Sequence, residues 1–268
     1  MSEASSPAKC RILAICNQKG GVGKTTTAIN LAASLAAAEH RVLLIDLDPQ
    51  GNASSGVGHR RGGDQLGTYD FLLGSASLED VALPTDLPTL HVMTATTDLA
   101  GAEIELVDAE RRESVLRSRL TPKMLVDWSF VIIDCPPSLG LLTVNALVAA
   151  NAVLIPMQAR YFSLEGLGSL METIDRIRGA FNPDLCVEGI VFCMHEQRTN
   201  LSQQVVAEVH RHFANDVFEV VIPQNVRLSE SPSFGKPALL YDIESKGAQA
   251  YLELARELLT RLEERQQL

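Results

Sequence analysis

No two cysteines of this 268-residue chain are spaced as C-x-x-C. Cys10, Cys16, Cys135, Cys186 and Cys193 are scattered, three of them in apolar strand-like runs, and read as buried or incidental thiols of a reducing cytosol. An apolar run long enough to cross a bilayer is missing too. The longest, from Ala146 to Met157, is interrupted by Asn151 and Pro156. The opening Met-Ser-Glu-Ala-Ser-Ser-Pro lacks the basic and apolar regions of a signal peptide, so a soluble, cytoplasmic protein is expected. Basic residues are in deficit, 23 against 33 acidic ones, which leaves a net charge of −10. That balance is a poor start for a nucleic-acid binder, and any DNA contact needs a local basic patch. There is no internal repeat, low-complexity tract or linker. With 46% hydrophobic and 21% charged residues, the chain can bury a sizeable core. The economical division is a flexible tail over residues 1–9 and a single domain over 10–265.

The richest stretch is Lys19-Gly20-Gly21-Val22-Gly23-Lys24-Thr25-Thr26, directly after the apolar run Arg11–Cys16. A strand runs into a glycine-rich turn and a helix starts near Gly23, the geometry of a triphosphate cradle. Glycines let the backbone approach a polyanion and aim successive N–H groups at it, and the helix start adds the positive end of its dipole. Lys24 sits at that positive end, where a cation alone costs roughly 0.3–1 kcal/mol; a phosphate makes sense of its position. The N–H groups from Gly20 to Lys24 are expected to hold the β-phosphate. Lys24 then bridges β- and γ-phosphate oxygens, and the Thr25 hydroxyl ligates Mg²⁺. The strict G-x-x-x-x-G-K-[ST] pattern fails, because Gln18 stands where its first glycine belongs, and a second lysine, Lys19, opens the loop.

Val131-Ile-Ile-Asp134-Cys-Pro-Pro137 has the form of a buried strand whose terminal carboxylate reaches Mg²⁺. Leu44-Ile-Asp46-Leu-Asp48-Pro-Gln50 carries two carboxylates. Pro49 places Asp48 beyond the strand end, so the two have different jobs. Asp46 either anchors the loop or contacts the metal shell, and Asp48 orients the attacking water. Asp48 joins Thr25 and Asp134 among the candidate metal residues.

Strand-like and helix-like segments alternate. Strands are expected at 11–16, 41–46, 89–93, 130–134, 152–156, 187–194 and 217–222. Helices are expected at 24–38, 68–73, 106–120, 139–150, 164–180, 201–213 and 245–264, with a mobile loop over 49–63. Continuous apolar strands separated by helices indicate an α/β fold, a doubly wound, mostly parallel sheet with helices on both faces. The chemically suggestive residues gather at strand carboxyl ends, where such sheets bind ligands.

Lys19–Thr26, Asp46-Leu-Asp-Pro-Gln-Gly-Asn-Ala53 and Asp134-Cys-Pro-Pro-Ser138 resemble the ParA/Soj family of DNA-partition ATPases, within the deviant Walker A class of P-loop proteins. So do Arg198-Thr-Asn-Leu-Ser-Gln-Gln-Val205, Ile222-Pro-Gln-Asn-Val-Arg-Leu-Ser-Glu230 and Pro232-Ser-Phe-Gly-Lys-Pro237. The resemblance spans roughly residues 10 to 260, and the later motifs are the more specific ones. It implies a slow, Mg²⁺-dependent ATPase that forms an ATP-sandwich homodimer. Lys19 would reach the partner's ATP, Gly20 would have to be small for closure, and Asp48 would activate water. Met194, Pro223 and Asn225 would lie near adenine. Arg198 and Arg227 match positions that bind double-stranded DNA without sequence preference, with Lys236 and Arg211 as further candidates. The implied partner is a ParB-like centromere-binding protein and the implied location is the nucleoid.

The chain departs from the family pattern at Gln224, where arginine is frequent, and at His195-Glu-Gln197, where Tyr-Asp is frequent. A relative that positions another cargo on the nucleoid would look alike. A MinD-like membrane-cycling ATPase would need a basic amphipathic C-terminal tail. Here Tyr251, Leu254, Leu258 and Leu262 repeat at core-packing spacing, and the end, Glu263-Glu-Arg-Gln-Gln-Leu268, is neither basic nor apolar. A redox member of the class would need a cysteine companion for Cys135. His210 and His212, two apart on a helix, read as surface residues, and Arg60-Arg61 as a solvated pair.

Overall fold

The strands β2 (Val42–Asp46) and β5 (Phe130–Asp134) read Val-Leu-Leu-Ile-Asp and Phe-Val-Ile-Ile-Asp, and every residue of both is buried. Strands covered on both faces need such runs. The computed structural model describes residues 10–59, 65–160, 162–195 and 200–267. The chain order begins β1 (Arg11–Ile15), α1 (Lys24–Ala37), β2, α2 (Asn52–Gly56), α3 (Thr68–Leu73), α4 (Leu78–Val81), β3 (Leu83–Pro84), β4 (Leu90–Met93), α5 (Leu99–Glu105) and α6 (Val115–Arg119). It continues with β5, α7 (Leu141–Ala149), β6 (Ala152–Met157), α8 (Phe162–Ala180), β7 (Cys186–His195), α9 (Asn200–Phe213), β8 (Ile222–Pro223), α10 (Val226–Glu230), α11 (Ala238–Tyr241) and α12 (Lys246–Gln267).

These strands form one sheet in the order β3-β4-β2-β5-β1-β6-β7-β8. Among the described residues only the edge strand β3 is antiparallel to its neighbour. The chain leaves β1 toward β2 on one side and later toward β6 on the other, so the carboxyl end of β1 lies where the winding reverses, the expected place for a ligand.

Alternation along each strand supplies two cores. Leu13, Ile15, Leu44, Ile132, Leu154 and Val191 face α1 and α12. Ala14, Cys16, Leu43, Ile45, Val131 and Ile133 face the opposite layer, which includes α7 and α8. The same alternation puts Asp46 and Asp134, each two residues after a side chain of the first set, on the α1 side. They are direct register partners. In α12, Tyr251, Leu254 and Leu258 are fully buried, so the apolar stripe of this helix is spent on the core. Among the described residues no helix is long and apolar enough to cross a membrane.

Three expected elements differ. The helix expected over 106–120 is broken into 3₁₀ turns at Leu106–Asp108 and Arg112–Ser114 followed by α6. Arg111 adopts a left-handed φ of 57°, and Asn145 of α7 takes up the freed groups. Its Oδ1 accepts from the Leu116 amide at 3.0 Å and its Nδ2 donates to the Arg112 carbonyl at 2.8 Å. The strand expected over 217–222 shrinks to a bridge between Val217 and Ile190 plus the two residues of β8. Glu257 of α12 captures the Glu219 and Val220 amides at 2.9 and 3.0 Å, removing them from the ladder. Part of the loop expected over 49–63 is the helix α2, and Arg60 and Arg61 lie outside the described residues.

At the far end of the sheet, Glu188 of β7 is completely buried and accepts from Arg11 of β1 and from Arg265 of α12, both at 2.6 Å. Removing one partner of a buried ion pair strands the other charge. Glu188→Ala is expected to destabilise the protein by about 3 kcal/mol, the low end for such a break because Arg265 can return to water. The shift of the urea midpoint measures it.

Candidate nucleotide site

The turn between β1 and α1 needs two left-handed residues, and glycine supplies both: Gly21 has φ 71° and Gly23 φ 98°. Gly23 caps α1, its carbonyl accepting from the Thr27 amide at 2.8 Å. A Cβ there would stand 3.5 Å from that of Cys193, so the turn packs against the end of β7 as well as bending sharply. Gly20, Gly21, Gly23, Lys24, Thr25 and Thr26 line a cavity of about 350 Å³, closed by Asp48, Gln50, Asn52, Pro137 and Met194. Three of the expected strand ends, those of β1, β2 and β5, thus meet in one concavity, and β7 adds Met194. Val22 is buried beneath the loop.

The two loop lysines diverge. Lys24 is almost wholly buried and its Nζ donates to the Lys19 carbonyl at 3.1 Å. Burial lowers its pKa, while the nearby carboxylates of Asp134 and Asp48 hold the proton on. Lys19 is half-buried, does not line the cavity, and among the described residues makes no ion pair. A Cβ on Gly20 would meet nothing within 4 Å in this chain.

Asp46 is fully buried and spent on structure. Its Oδ2 accepts from the Ser54 amide at 2.8 Å and the Ser54 hydroxyl at 2.6 Å, and its Oδ1 accepts from the Asp48 amide at 3.2 Å. These bonds fold α2 back over the strand end. Of the two jobs left open for Asp46, the structure shows the anchor. Burial pushes its pKa up to about 6 against those bonds, with the neighbouring Asp48 adding to the rise. Asp48 lies past the strand end, with Oδ1 accepting from the Gln50 amide at 2.9 Å.

Asp134 is equally buried, yet among the described residues neither carboxylate oxygen has a hydrogen-bond partner. Burial raises its pKa well above the usual carboxylate range. The charges of Asp46 and Asp48 raise it further; the nearby Thr25 hydroxyl and the Lys24 ammonium oppose the rise. A buried carboxylate with two unspent oxygens beside a threonine hydroxyl suits a hard divalent cation. Among the described residues no group of three or more His, Cys, Asp or Glu could hold a metal without help. Mg²⁺ is the natural fit, since it is commonly held by one or two carboxylates together with phosphate oxygens and water.

The other expected positions are dispersed. Met194, left-handed at φ 52°, overhangs the glycine loop. Pro223 ends β8, and Asn225 caps α10, its Oδ1 accepting from the Arg227 amide at 2.9 Å; neither lines the cavity. Arg227 is exposed and doubly paired, with Glu230 at 3.0 Å and Asp242 at 3.1 Å, and the Glu230 hydrogen bond leads the causes that raise its pKa. Lys236 is exposed, and Arg211 pairs with Glu208 at 3.0 Å. Arg198 lies outside the described residues. Gln158 is a residue that sequence reasoning missed. It is buried at the exit of β6, and its Nε2 donates to the Gly21 carbonyl at 3.0 Å. Its only sequence signal is an amide ending an apolar strand.

A glycine turn capping a helix over two strand-end carboxylates, at the winding reversal of a parallel sheet, defines a P-loop nucleoside-triphosphatase fold. A family profile described as an AAA domain matches residues 10–187. The chain is 56% identical to the chromosome partitioning protein ParA of Myxococcus xanthus, over 94% of this chain and 88% of that one. It is 50% identical to the sporulation initiation inhibitor protein Soj of Bacillus subtilis, over 92% and 98%. A solved structure described as cobyrinic acid a,c-diamide synthase from Mycobacterium smegmatis, with a bound ATP analogue and magnesium, superposes with a TM-score of 0.81 at 37% identity, covering 95% of this chain and 96% of that one. The chain belongs to the ParA/Soj family of chromosome partitioning ATPases.

Asp46 and Asp134 have folded-state pKa values above the unfolded value of 3.8, so folding takes up protons and stability falls as pH rises above that value. For Asp46 the loss is complete once pH passes about 6, and Asp134 adds a loss of the same sign. Asp134→Asn is therefore expected to stabilise the nucleotide-free protein, little near pH 4 and increasingly as pH rises to 7.5. The same variant is expected to lose the Mg²⁺-dependent part of its ADP affinity. Urea melts across pH and ADP titrations with and without Mg²⁺ check both.

Proposed function

We propose that this ATPase is an ATP-gated DNA-partition switch. In this reading, ATP binding drives a sandwich homodimer that holds double-stranded DNA without sequence preference, and hydrolysis, stimulated by a ParB-like protein, releases it. The observation that carries the reading is the divergence of the two loop lysines: Lys24 turned into the cavity, Lys19 kept out of it and free of ion pairs among the described residues. Gly20 adds support, since the space its missing side chain leaves is empty in one chain and a second chain would need it.

The nucleotide is ATP with Mg²⁺. The backbone N–H groups of the loop and the N-terminus of α1 bind the phosphates, Lys24 neutralises them, and Thr25 and Asp134 hold the cation. Magnesium supplies charge neutralisation of the phosphates when bound. Asp48, with one oxygen tied to the Gln50 amide, uses the other to orient a water for in-line attack. Lys19 contributes its charge to the neighbouring protomer's ATP, so the triphosphates act as interfacial ligands and their hydrolysis loosens the dimer. Met194 borders the base, with Pro223 and Asn225 further along the same rim.

DNA binding falls to Arg227 and Lys236, with Arg198, on a surface that is otherwise acidic. The acidic surface suits the basic segment of a ParB-like partner, and the nucleoid is the place where such a switch works. Arg227 exchanges Glu230 and Asp242 for phosphate, which keeps binding modest. With four phosphates neutralised by a dimer, affinity is expected to fall about a hundredfold between 50 and 200 mM salt.

A DNA titration with ATP, with ADP and without nucleotide, with dimerisation followed in parallel, tests the reading. Lys19→Ala is expected to keep nucleotide binding in the monomer and lose ATP-dependent dimerisation. Arg227→Glu is expected to dimerise and lose DNA retention by at least tenfold. Dimerisation of the Lys19 variant with ATP would remove the cross-interface role, and normal DNA retention by the Arg227 variant would move the patch elsewhere.

A further inference from the structure

Gln158 is the first residue after β6 and is 7% exposed. Because β6 lies beside β1, its exit stands next to the loop that leaves β1. The Gln158 Nε2 donates to the Gly21 carbonyl and touches Met194 Sδ, both at 3.0 Å. Gly21 and Met194 are both left-handed and both line the cavity, so one amide bridges two unusual backbone positions. The loop is fastened to the same side at two more points. Asn17 donates to the Pro156 carbonyl at 2.7 Å and accepts from the Lys19 amide at 3.0 Å. Gln18 donates to the Ser169 hydroxyl of α8 at 3.0 Å.

We propose that Gln158 is a positioning residue for phosphate binding, acting through the Gly21–Val22 peptide. The inference rests on the nucleotide reading above. That peptide is planar and trans, so the N–H of Val22 points away from the carbonyl that Gln158 holds. Gripping the carbonyl from the β6 side aims the N–H toward the phosphate cradle. A glycine peptide would otherwise sample both orientations, and phosphate binding would have to select one. A neutral amide suits this position: it donates without adding charge to the Lys24–Asp134 balance, whereas an ionised carboxylate would present only acceptors to a carbonyl. The contact with Met194 ties the far wall of the cavity to the same anchor.

The test is ADP affinity in Gln158→Met and Gln158→Glu, with thermal melts alongside. Gln158→Met keeps the volume and removes the donor; its dissociation constant for ADP is expected to rise roughly two- to tenfold, the worth of one hydrogen bond, with the protein still folded. Gln158→Glu is expected to lose affinity at pH 8 and to recover part of it as pH falls toward 5.5, because a buried carboxyl takes up a proton in that range and then donates. Gln158→Met shows no such recovery. Wild-type ADP affinity in Gln158→Met, or a loss in Gln158→Glu that ignores pH, overturns the proposal. If Gln158→Met does not fold, the pH profile of Gln158→Glu relative to the wild type decides. Failure of the wild-type chain to bind ADP would instead overturn the nucleotide reading itself.

Discussion

Two buried carboxylates at adjacent positions of adjacent strands cannot both ionise cheaply, and the ligand end of this sheet is arranged around that constraint. The register places Asp46 beside Asp134, and both lie fully buried on the α1 side. The chain resolves the conflict asymmetrically. Asp46 receives an amide, a hydroxyl and a second amide, which fold α2 over it, while Asp134 receives no hydrogen bond among the described residues. One carboxylate is consumed by the architecture, and its neighbour is left with the unspent oxygens that the proposed reading gives to a cation. Lys24 completes the arrangement, buried near Asp134 and Asp48, whose charges offset part of the cost of burying its ammonium.

That asymmetry explains what could be read in advance and what could not. The buried strands were legible because their apolar runs end abruptly in aspartate, and the glycine loop because few other sequences tolerate its backbone. The α/β class and the elements nearest the site follow from those two signals. The helix over 106–120 was misread because its break depends on Asn145, a residue of another element. The strand over 217–222 failed for the same reason, since Glu257 of α12 competes for its amides. Periodicity reports what a segment prefers alone, and side chains arriving from elsewhere are outside its reach. At the site, the separate jobs of Asp46 and Asp48 could be argued from Pro49, but the choice for Asp46 between anchor and metal shell turned on Ser54, eight residues away. Gln158 gave almost no signal, because its meaning comes from the strand order that sets β6 beside β1.

The loop itself is held by two kinds of grip. Its second half is fixed by the start of α1, a local device that any strand–glycine–helix unit provides. Its first half is fixed by Asn17, Gln18 and Gln158 to β6 and α8, a non-local device. The lysine that separates this loop from an ordinary phosphate cradle, Lys19, sits in the half held non-locally. In the proposed reading this long cation serves a neighbouring molecule and gains from a stiff base, since each rotamer frozen on association costs about 0.5–1.5 kcal/mol and a wandering backbone would add to that.

Charge poses the remaining physical problem. If it binds DNA as proposed, a chain of net charge −10 does so against an average repulsion, so its basic positions must act locally and over short range. Arg227 does not stand free. Glu230 and Asp242 hold it beside the ring of Tyr241, which fixes its place and cancels much of its field. Exposed pairs of this kind are worth little in water, so a row of phosphates can displace them at small cost, whereas a single phosphate gains almost nothing by doing so. On the proposed reading, such a surface gives weak binding by one chain and useful binding by two. In the proposed reading, the net acidity that looks unsuited to DNA association makes retention depend on assembly, and assembly in turn on a cavity that Lys24 lines and Lys19 stands outside.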